Sequence, residues 1–452
     1  MAHSLPWLLN RRRLLLAGLV DMLLVSLLFT LVFWMRFGVW PGFQLPMTWL
    51  LELWLLLSYV AGRYTQGELG GPFAPLSALG STAVVTALSG LLYLGYNWIA
   101  YRALGQVDTR TFLLPLLAMI AAASYLAQVS LDRLLAGEKQ AALRWLLIGP
   151  QALLHQLQRA NRLSWHQGGV VLVPWSGQAD LSAIAFEGVI VAHPEAVTPQ
   201  LQAQLLEVMA RGIPLLSPRL WCESFLQRLP VDLITSADLF EGGFAMPRRS
   251  LQVRLKRVGD VVVSGSLLLV ALPLLLVAAL CIVGQDRGPV FYSQLRSGVQ
   301  GKPFRIWKLR TMRLDAERQG AQWVQRQDSR ITPVGRLLRQ TRLDELPQLL
   351  SVLRGDMSLI GPRPERPEFD VELERQIPHY RLRYWMRPGL SGWAQVNYPY
   401  GASIDDAANK LSYDLFYLRH FSFWLDLLIL LKTIRLVFNA QGAVPLSPVE
   451  AG

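Results

Sequence analysis

Long apolar stretches in the first third of the chain constrain its fold more than any other feature. They run roughly over Leu14–Phe33, Met47–Ala61, Ser81–Ala100 and Phe112–Leu131. A transmembrane helix needs about 20 apolar residues, and roughly 17 to 25 are tolerated, so the second stretch is the shortest candidate. We predict a transmembrane bundle of four helices over residues 1–138.

Basic residues at both ends of this region indicate its orientation. Arg11, Arg12 and Arg13 precede the first stretch, and Arg133 and Lys139 follow the fourth. Because loops rich in Lys and Arg stay in the cytoplasm, both ends are expected there, which requires an even number of spans. No small-residue cleavage site follows the first stretch, so we expect an anchor and not a removed signal peptide.

The charge balance of the chain also favours a membrane partner. The formal net charge is +12. Such a balance suits the anionic cytoplasmic face of a membrane, and because the sequence carries no nucleic-acid motif we expect no nucleic-acid partner. One acid, Asp21, lies inside the first span. A functional role is the usual hypothesis for an ionisable group in a bilayer, but we favour pairing with a neighbouring helix or a wet crevice.

Residues 139–248 show a different pattern, in which short apolar runs alternate with mixed polar stretches. Buried parallel strands are predicted at Arg144–Gly149, Val170–Val173 and Gly188–Val191, and a helix at Pro199–Arg211. This order is typical of a Rossmann-like α/β domain.

The first turn of that domain argues against a dinucleotide site. A dinucleotide site needs a glycine-rich first turn so that the backbone can approach a pyrophosphate. Here Gly149 stands alone and is followed by Pro150. The pattern favours a structural or regulatory domain, and it disfavours a nucleotide-sugar oxidoreductase or dehydratase.

A further apolar run, Val261–Val283, could be a fifth transmembrane helix. Basic residues flank it on both sides, and four spans have already returned the chain to the cytoplasm, so both of its ends are expected there. Pro273 lies near its centre and would break the helical hydrogen bonding. We therefore predict a re-entrant membrane helix pair over about residues 256–284, with its break at Pro273. For Leu415–Phe438 we predict an interfacial helix, with a core helix as the alternative.

An adjacent carboxylate pair, Asp344 and Glu345, lies among arginines downstream of these segments. Thr341 stands three residues before Asp344, which also fits a helix capping box. The turn-rich segment that follows contains Gly361 and Pro362, whose rigid path is expected to present the next residue, Arg363, outward. A rigidly held arginine suits bidentate phosphate recognition. The segment therefore indicates phosphate chemistry beside a lipid surface.

The C-terminal part of the chain, residues 255–438, resembles the bacterial sugar transferases, the monotopic phosphoglycosyl transferases. The resemblance rests on five ordered motifs: Lys256–Asp260, Gly288–Phe291, Lys302–Phe304 with Lys308–Met312, Arg339–Gln348 with Leu353–Pro364, and Arg387–Val396. With four spans and a degenerate α/β domain ahead of it, the whole chain is similar to the long members of the family. These include undecaprenyl-phosphate galactose and glucose phosphotransferases of exopolysaccharide and O-antigen assembly.

The resemblance implies a mainly α catalytic domain over residues 249–452 and a covalent reaction. Asp344 would attack the sugar-bearing phosphate of a UDP-hexose and release UMP, and undecaprenyl phosphate would then accept the phosphosugar. Glu345 would be the partner of the nucleophile in a catalytic dyad, and Mg²⁺ would bind through Asp344. The reaction would be the first membrane step of exopolysaccharide, O-antigen or capsule synthesis, at the cytoplasmic face of the bacterial inner membrane.

The resemblance also implies a set of phosphate-binding residues. Arg339 and Arg363 match the phosphate-binding arginines of the family, and Arg383 is the expected third, with Arg387 as its alternative. The basic residues Lys308 and Arg310 belong to the same set.

Two further expectations concern the whole chain. A homodimer is expected from the resemblance to the long members. The competing functional hypothesis is a non-catalytic membrane scaffold of a polysaccharide assembly complex. The intact set of Asp344, Glu345 and Arg363 favours the enzyme over that scaffold. The sugar itself is not fixed by the sequence, because hexose discrimination depends on a few hydrogen bonds in a pocket.

Overall fold

The computed structural model describes the larger part of the chain. The described residues are 12–41, 45–64, 74–100, 112–137, 143–162, 170–175, 181, 185–235, 238–239, 244, 251–316, 328–398 and 403–438. They form two compact units, Met1–Ala141 and Ala142–Gly452.

The first unit contains four apolar helices, which confirms the helices predicted there. They are α1 (Arg12–Phe37), α2 (Leu45–Val60), α3 (Ala74–Ala100) and α4 (Leu114–Gly137). The helices α1, α3 and α4 are long and apolar enough to cross a membrane, whereas α2 has only 16 residues. These helices indicate a membrane-associated protein.

Asp21 on α1 lies in a buried polar cluster inside this unit. Its carboxylate accepts hydrogen bonds from Trp54 Nε1 at 3.1 Å and from the Tyr64 hydroxyl at 3.0 Å. Arg63, which is 2% exposed, lies 3.3 Å away and also donates to the Ser124 hydroxyl. The favoured hypothesis for Asp21, pairing within the bundle, is confirmed. The cost of burying its charge is offset by these partners.

The second unit begins with the predicted parallel sheet. Its strands are β1 (Leu143–Ile148), β2 (Val170–Pro174), β3 (Gly188–Val191) and β4 (Leu215–Leu216), in the order β2-β1-β3-β4. The predicted helix is α6 (Pro199–Ala210), and a helix that we did not predict, α5 (Gln151–Arg162), follows β1. Gly149 permits close packing of neighbouring strand ends, because a Cβ there would lie 2.6 Å from Ala192 Cβ.

The chain leaves the sheet through a helical turn, Pro218–Trp221, and a π-helical turn, Cys222–Leu226. The segment after these turns packs inside the C-terminal part, where Leu229, Val231 and Ile234 share a hydrophobic core with Trp393. The division of this unit into domains at 139–248 and 249–452 stays a prediction.

The long apolar helix α7 spans Leu251–Asp286 without interruption and contains Pro273. The expected pair of helices separated at Pro273 is therefore wrong as secondary structure. A proline removes one hydrogen bond and kinks a helix, but in an apolar setting the remaining backbone bonds have no water to replace them, so the helix continues. The re-entrant course of α7 stays a prediction.

Both halves of α7 bond to the same globular part. Near its start, Lys256 Nζ lies 2.7 Å from Asp426 Oδ2, and the buried Asp260 accepts from Leu359 N at 3.0 Å. At its end, Asp286 pairs with Arg310.

The rest of the C-terminal part is mainly helical. After an antiparallel hairpin of β5 (Phe291–Ser297) and β6 (Pro303–Leu309), the elements are α8 (Pro333–Gln340), a 3₁₀ helix (Leu343–Gln348), α9 (Leu349–Arg354), β7 (Ser358–Ile360), α10 (Pro367–Gln376), a 3₁₀ helix (Tyr380–Trp385), β8 (Gly389–Ser391), α11 (Trp393–Asn397), α12 (Ile404–His420) and α13 (Phe423–Phe438). The strands β7 and β8 pair in parallel.

The predicted interfacial segment Leu415–Phe438 falls on two helices. The buried residues Leu415 and Leu418 belong to α12, so this portion is a core helix. On α13, Trp424 is 75% exposed and Ile429 is fully buried. The alternative therefore holds for the first portion, and α13 has the one-sided apolar exposure expected of an interfacial helix.

Candidate active site

The acid pair, Asp344 and Glu345, lies at the start of the 3₁₀ helix Leu343–Gln348. Thr332 caps α8 by accepting from Gly335 N, and α8 ends at Gln340. Thr341 does not cap the following helix, because its hydroxyl donates back to Leu337 O. The capping-box interpretation is therefore wrong. Arg342, with φ at 57°, takes the left-handed conformation that turns the chain into the 3₁₀ helix.

Glu345 is held by cationic side chains. Lys308 Nζ lies 3.0 Å from Oε1, Arg363 donates to both carboxylate oxygens, and Arg342 Nη1 lies 3.9 Å from Oε2. Burial alone would raise the pKa of Glu345, but the charges of Arg363 and Lys308 outweigh it and hold the pKa well below its usual range. Glu345 is therefore a fixed anion.

Asp344 has a different environment from its neighbour. It is 7% exposed, and no side chain or backbone group in the described part of the chain donates a hydrogen bond to its buried Oδ1 atom. Burial, followed by repulsion from Glu345, raises the pKa of Asp344 to about 6. A buried carboxylate oxygen without a partner is costly unless a ligand supplies one. Asp344 thus has an oxygen with unengaged lone pairs, which a nucleophile or a metal ligand needs.

One face of the β5–β6 hairpin presents cationic side chains toward the acid pair. Along β6, Arg305 and Trp307 face outward, whereas Ile306 is buried and Lys308 reaches Glu345. Arg296 on β5 pairs with Phe304, so it shares the inner face with Lys308. It donates to Pro364 O at 3.1 Å, next to Arg363. Arg296 was not among the predicted site residues, although the alternation of side chains in the paired strand is a signal that could have found it.

Three glycines let two motifs of the site pack backbone against backbone. Gly361 N donates to Ser391 O at 2.8 Å, and Gly389 N donates to Pro362 O at 2.9 Å. A Cβ on Gly389 would lie 2.1 Å from Gly361 N, and one on Gly392 would lie 2.3 Å from Gly361 O. This close approach fixes the segment that leads into Arg363.

The other predicted phosphate-binding residues have different partners and exposures. Arg339 is partly exposed, donates to Thr311 Oγ1 at 3.0 Å, and its charge acts on Asp344. Arg310 pairs with Asp286 and donates to Pro289 O, so it fixes the end of α7. Arg387 is exposed.

Arg383 is buried behind Arg363. Its Nη1 donates to the Tyr380 hydroxyl at 2.6 Å, and its Nη2 donates to Arg363 O at 2.9 Å. The same Nη2 lies 3.0 Å from Asp414 Oδ2. The structure therefore brings Asp344, Glu345, Lys308 and Arg363 together, with Arg339 beside them.

One carboxylate of the acid pair, Asp344, would suit a magnesium ion that is shared with phosphate. Within the described ranges no group of three or more His, Cys, Asp or Glu side chains could hold a metal. Asp344 offers an unpartnered oxygen, whereas the oxygens of Glu345 already accept from Lys308 and Arg363. Mg²⁺ is commonly bound through one or two carboxylates together with substrate phosphates. A phosphate-bearing substrate would therefore complete the coordination.

Comparison with known proteins gives a consistent set of relatives. The model of the bacterial sugar transferase family matches residues 251–440. The UDP-N-acetylgalactosamine-undecaprenyl-phosphate N-acetylgalactosaminephosphotransferase of Aeromonas hydrophila is 37% identical over 265 residues, 58% of this chain and 62% of that protein. The UDP-glucose:undecaprenyl-phosphate glucose-1-phosphate transferase of Caulobacter vibrioides is 43% identical over 218 residues, 47% of this chain and 81% of that protein. A putative undecaprenyl-phosphate N-acetylgalactosaminyl 1-phosphate transferase of Bacillus subtilis is 49% identical over 129 residues, 28% of this chain and 72% of that protein.

Proposed function

The chain belongs to the bacterial sugar transferase family, and we propose that it transfers a hexose 1-phosphate from a UDP-sugar to undecaprenyl phosphate. The observation that carries this proposal is the asymmetry of the acid pair. Glu345 is fixed by cations, whereas Asp344 keeps a buried oxygen without a partner. Two adjacent carboxylates with different environments can take different catalytic roles.

The proposed reaction has two displacements at one phosphorus. In the first, a carboxylate oxygen of Asp344 attacks the phosphorus that bears the sugar, the bond to the bridging oxygen breaks, and UMP leaves. In the second, an oxygen of undecaprenyl phosphate attacks the same phosphorus and releases the Asp344 carboxylate. Covalent catalysis of this kind replaces one difficult transfer between two anions with two easier steps.

Cationic side chains of the site lower the repulsion in both steps. Lys308 and Arg363 lie on Glu345 and place positive charge next to Asp344, where an incoming phosphate would otherwise meet two carboxylates. The charge of Arg339 also acts on Asp344. A bound Mg²⁺ held by Asp344 and phosphate oxygens would supply further charge neutralisation.

The bonds of α7 support a site at the cytoplasmic surface of the inner membrane. Both halves of this apolar helix bond to one globular part, through Lys256 and Asp260 near the start and Asp286 at the end. A straight helix of this length would extend about 54 Å and carry its ends to opposite membrane faces. We therefore propose that α7 re-enters the side from which it came, so that the site meets a soluble UDP-sugar and a lipid phosphate.

Release of UMP tests the proposed reaction. Purified protein with undecaprenyl phosphate, Mg²⁺ and a panel of UDP-sugars should release UMP. Asp344→Asn should lower kcat/KM by about 10⁴-fold or more, because an amide cannot act as the nucleophile. Without lipid acceptor, the wild-type protein should gain the mass of one phosphosugar, and Asp344→Asn should not.

The control is Glu372→Gln, which alters a half-exposed acid on α10 and should leave UMP release unchanged. Full activity of Asp344→Asn would refute the assigned nucleophile. Failure of the wild-type protein to release UMP from any UDP-sugar would favour the non-catalytic scaffold. The homodimer and the glycan pathway stay predictions.

A further inference from the structure

A buried arginine lies directly behind Arg363, the arginine that contacts Glu345. Arg383 is 6% exposed and sits in the 3₁₀ helix Tyr380–Trp385. Its guanidinium lies over the Tyr380 ring at 5.1 Å and over the Tyr384 ring at 6.0 Å. Aromatic rings and a carboxylate, Asp414, thus surround a side chain for which the family resemblance predicts phosphate binding.

The contacts of Arg383 point toward the backbone of Arg363. Its Nη2 donates to Arg363 O at 2.9 Å, while Nη1 donates to the Tyr380 hydroxyl. The Arg363 side chain, which is 33% exposed, extends to Glu345. One arginine therefore holds the carbonyl of the other, and only the second reaches the acid pair.

We propose that Arg383 is a positioning residue, which orients Arg363 toward the acid pair and does not bind phosphate itself. This proposal deepens the proposed function and rests on it for the identity of the substrate. A guanidinium is planar and presents its donors in a fixed fork, so its contacts with Arg363 O, Tyr380 and Asp414 define one orientation. A positioned arginine loses less entropy when it binds phosphate in a bidentate manner.

The helix that carries Asp414, the carboxylate partner of Arg383, is contacted by the segment that follows the α/β sheet. Asp414 lies on α12. The two residues before it, Ser412 and Tyr413, contact the segment that leaves the sheet. Leu229 N donates to Ser412 O at 2.8 Å, and the Arg228 guanidinium lies 5.7 Å from the Tyr413 ring centre. These contacts link the segment that leaves the sheet to the helix that carries Asp414.

A double-mutant cycle distinguishes positioning from direct phosphate binding. The variants are Arg383→Lys, Arg363→Ala and the double variant, each measured for kcat/KM of UMP release. If Arg383 acts through Arg363, Arg383→Lys should lower kcat/KM about tenfold to a hundredfold in the wild-type background. It should lower kcat/KM less than about threefold when Arg363 is already Ala, because no side chain remains to be positioned. Losses that multiply in the double variant would overturn the proposal.

Asp414→Asn and Tyr380→Phe give independent cycles through the other two contacts. Tyr380→Phe keeps the buried ring and removes only the hydroxyl that Arg383 Nη1 contacts, so it should fold even if the charge variants do not. Each variant should show its loss only when Arg363 is present. The matched control is Arg381→Lys in the same 3₁₀ helix, whose side chain is 78% exposed and should have no effect.

The same double-mutant cycle can be measured through the Kd for UDP-glucose, which requires no turnover. If the wild-type protein binds UDP-glucose but releases no UMP, the proposed transfer fails while the positioning can still be judged from Kd. Additive effects on Kd, or no effect of Arg383→Lys on either quantity in folded protein, would overturn the positioning role. A lower unfolding temperature with unchanged kcat/KM would assign Arg383 a purely structural role and would also overturn it.

Discussion

The two carboxylates of the acid pair differ because their neighbours differ. Glu345 accepts hydrogen bonds from Lys308 and Arg363, whereas Oδ1 of Asp344 accepts none from the described residues. At pH 7 a carboxyl group whose pKa is about 6 is still mostly ionised, so Asp344 can act as an anion although it is buried. Burial leaves this anion poorly solvated, which suits a nucleophile.

Removing Lys308 should test how much the fixed cations contribute. Lys308→Met should lower kcat/KM by about 10²-fold to 10³-fold, because Glu345 loses a buried partner and the incoming phosphate loses positive charge. Arg305→Met is the matched control, since Arg305 lies on the same strand but faces outward and donates to Ser293 Oγ. Equal activity of the Lys308 and Arg305 variants in the UMP assay would contradict the assigned role.

Sequence predicted the acid pair and missed several of its surroundings. Asp344, Glu345 and Arg363 belong to one local motif, and the roles expected of them come from the resemblance to the sugar transferases. Arg310 was assigned to phosphate binding, yet its partner, Asp286, stands 24 residues earlier at the end of α7. No local spacing reveals a partner that only the tertiary fold brings close.

At the scale of elements, hydropathy predicted the apolar helices well. It could not decide the course of α7, because a proline inside an apolar run is compatible with a kink as well as with a break. The helix α5 was also missed, although Leu153, Leu154 and Leu157 occur at helical spacing directly after Pro150.

Labelling both ends of α7 should test its re-entrant course. The side chains of Arg254 and Arg287 are exposed at its two ends. Arg254→Cys and Arg287→Cys, each in a Cys281→Ser background, should react with a membrane-impermeant maleimide in inside-out vesicles and not in spheroplasts. A straight transmembrane helix would instead place one of the two cysteines on the opposite side. Wild-type UMP release by each variant would show that the labelled protein is native.

At the scale of the whole molecule, the chemistry and the apolar bundle belong to different compact units. Asp344, Glu345 and Arg363 lie in the second unit, and the Asp21 cluster lies in the first. The network around Asp21 could not be predicted, because Arg63 and Ser124 approach Asp21 from other helices and loops.

Breaking the Asp21 cluster should therefore separate stability from catalysis. Arg63→Met leaves the fully buried Asp21 carboxylate without its cation, which typically costs about 3 to 5 kcal/mol. We expect a lower unfolding temperature and lower abundance in the membrane. The kcat per folded molecule should stay within about twofold of wild type, because a mutation at one independent site usually does not change the effect of another. Asp21→Leu combined with Arg63→Met should recover part of the lost stability, since no charge then remains unpaired. Glu52→Gln, at an exposed acid on α2, serves as the control. A loss of kcat in folded Arg63→Met protein would show instead that the bundle and the acid pair are energetically coupled.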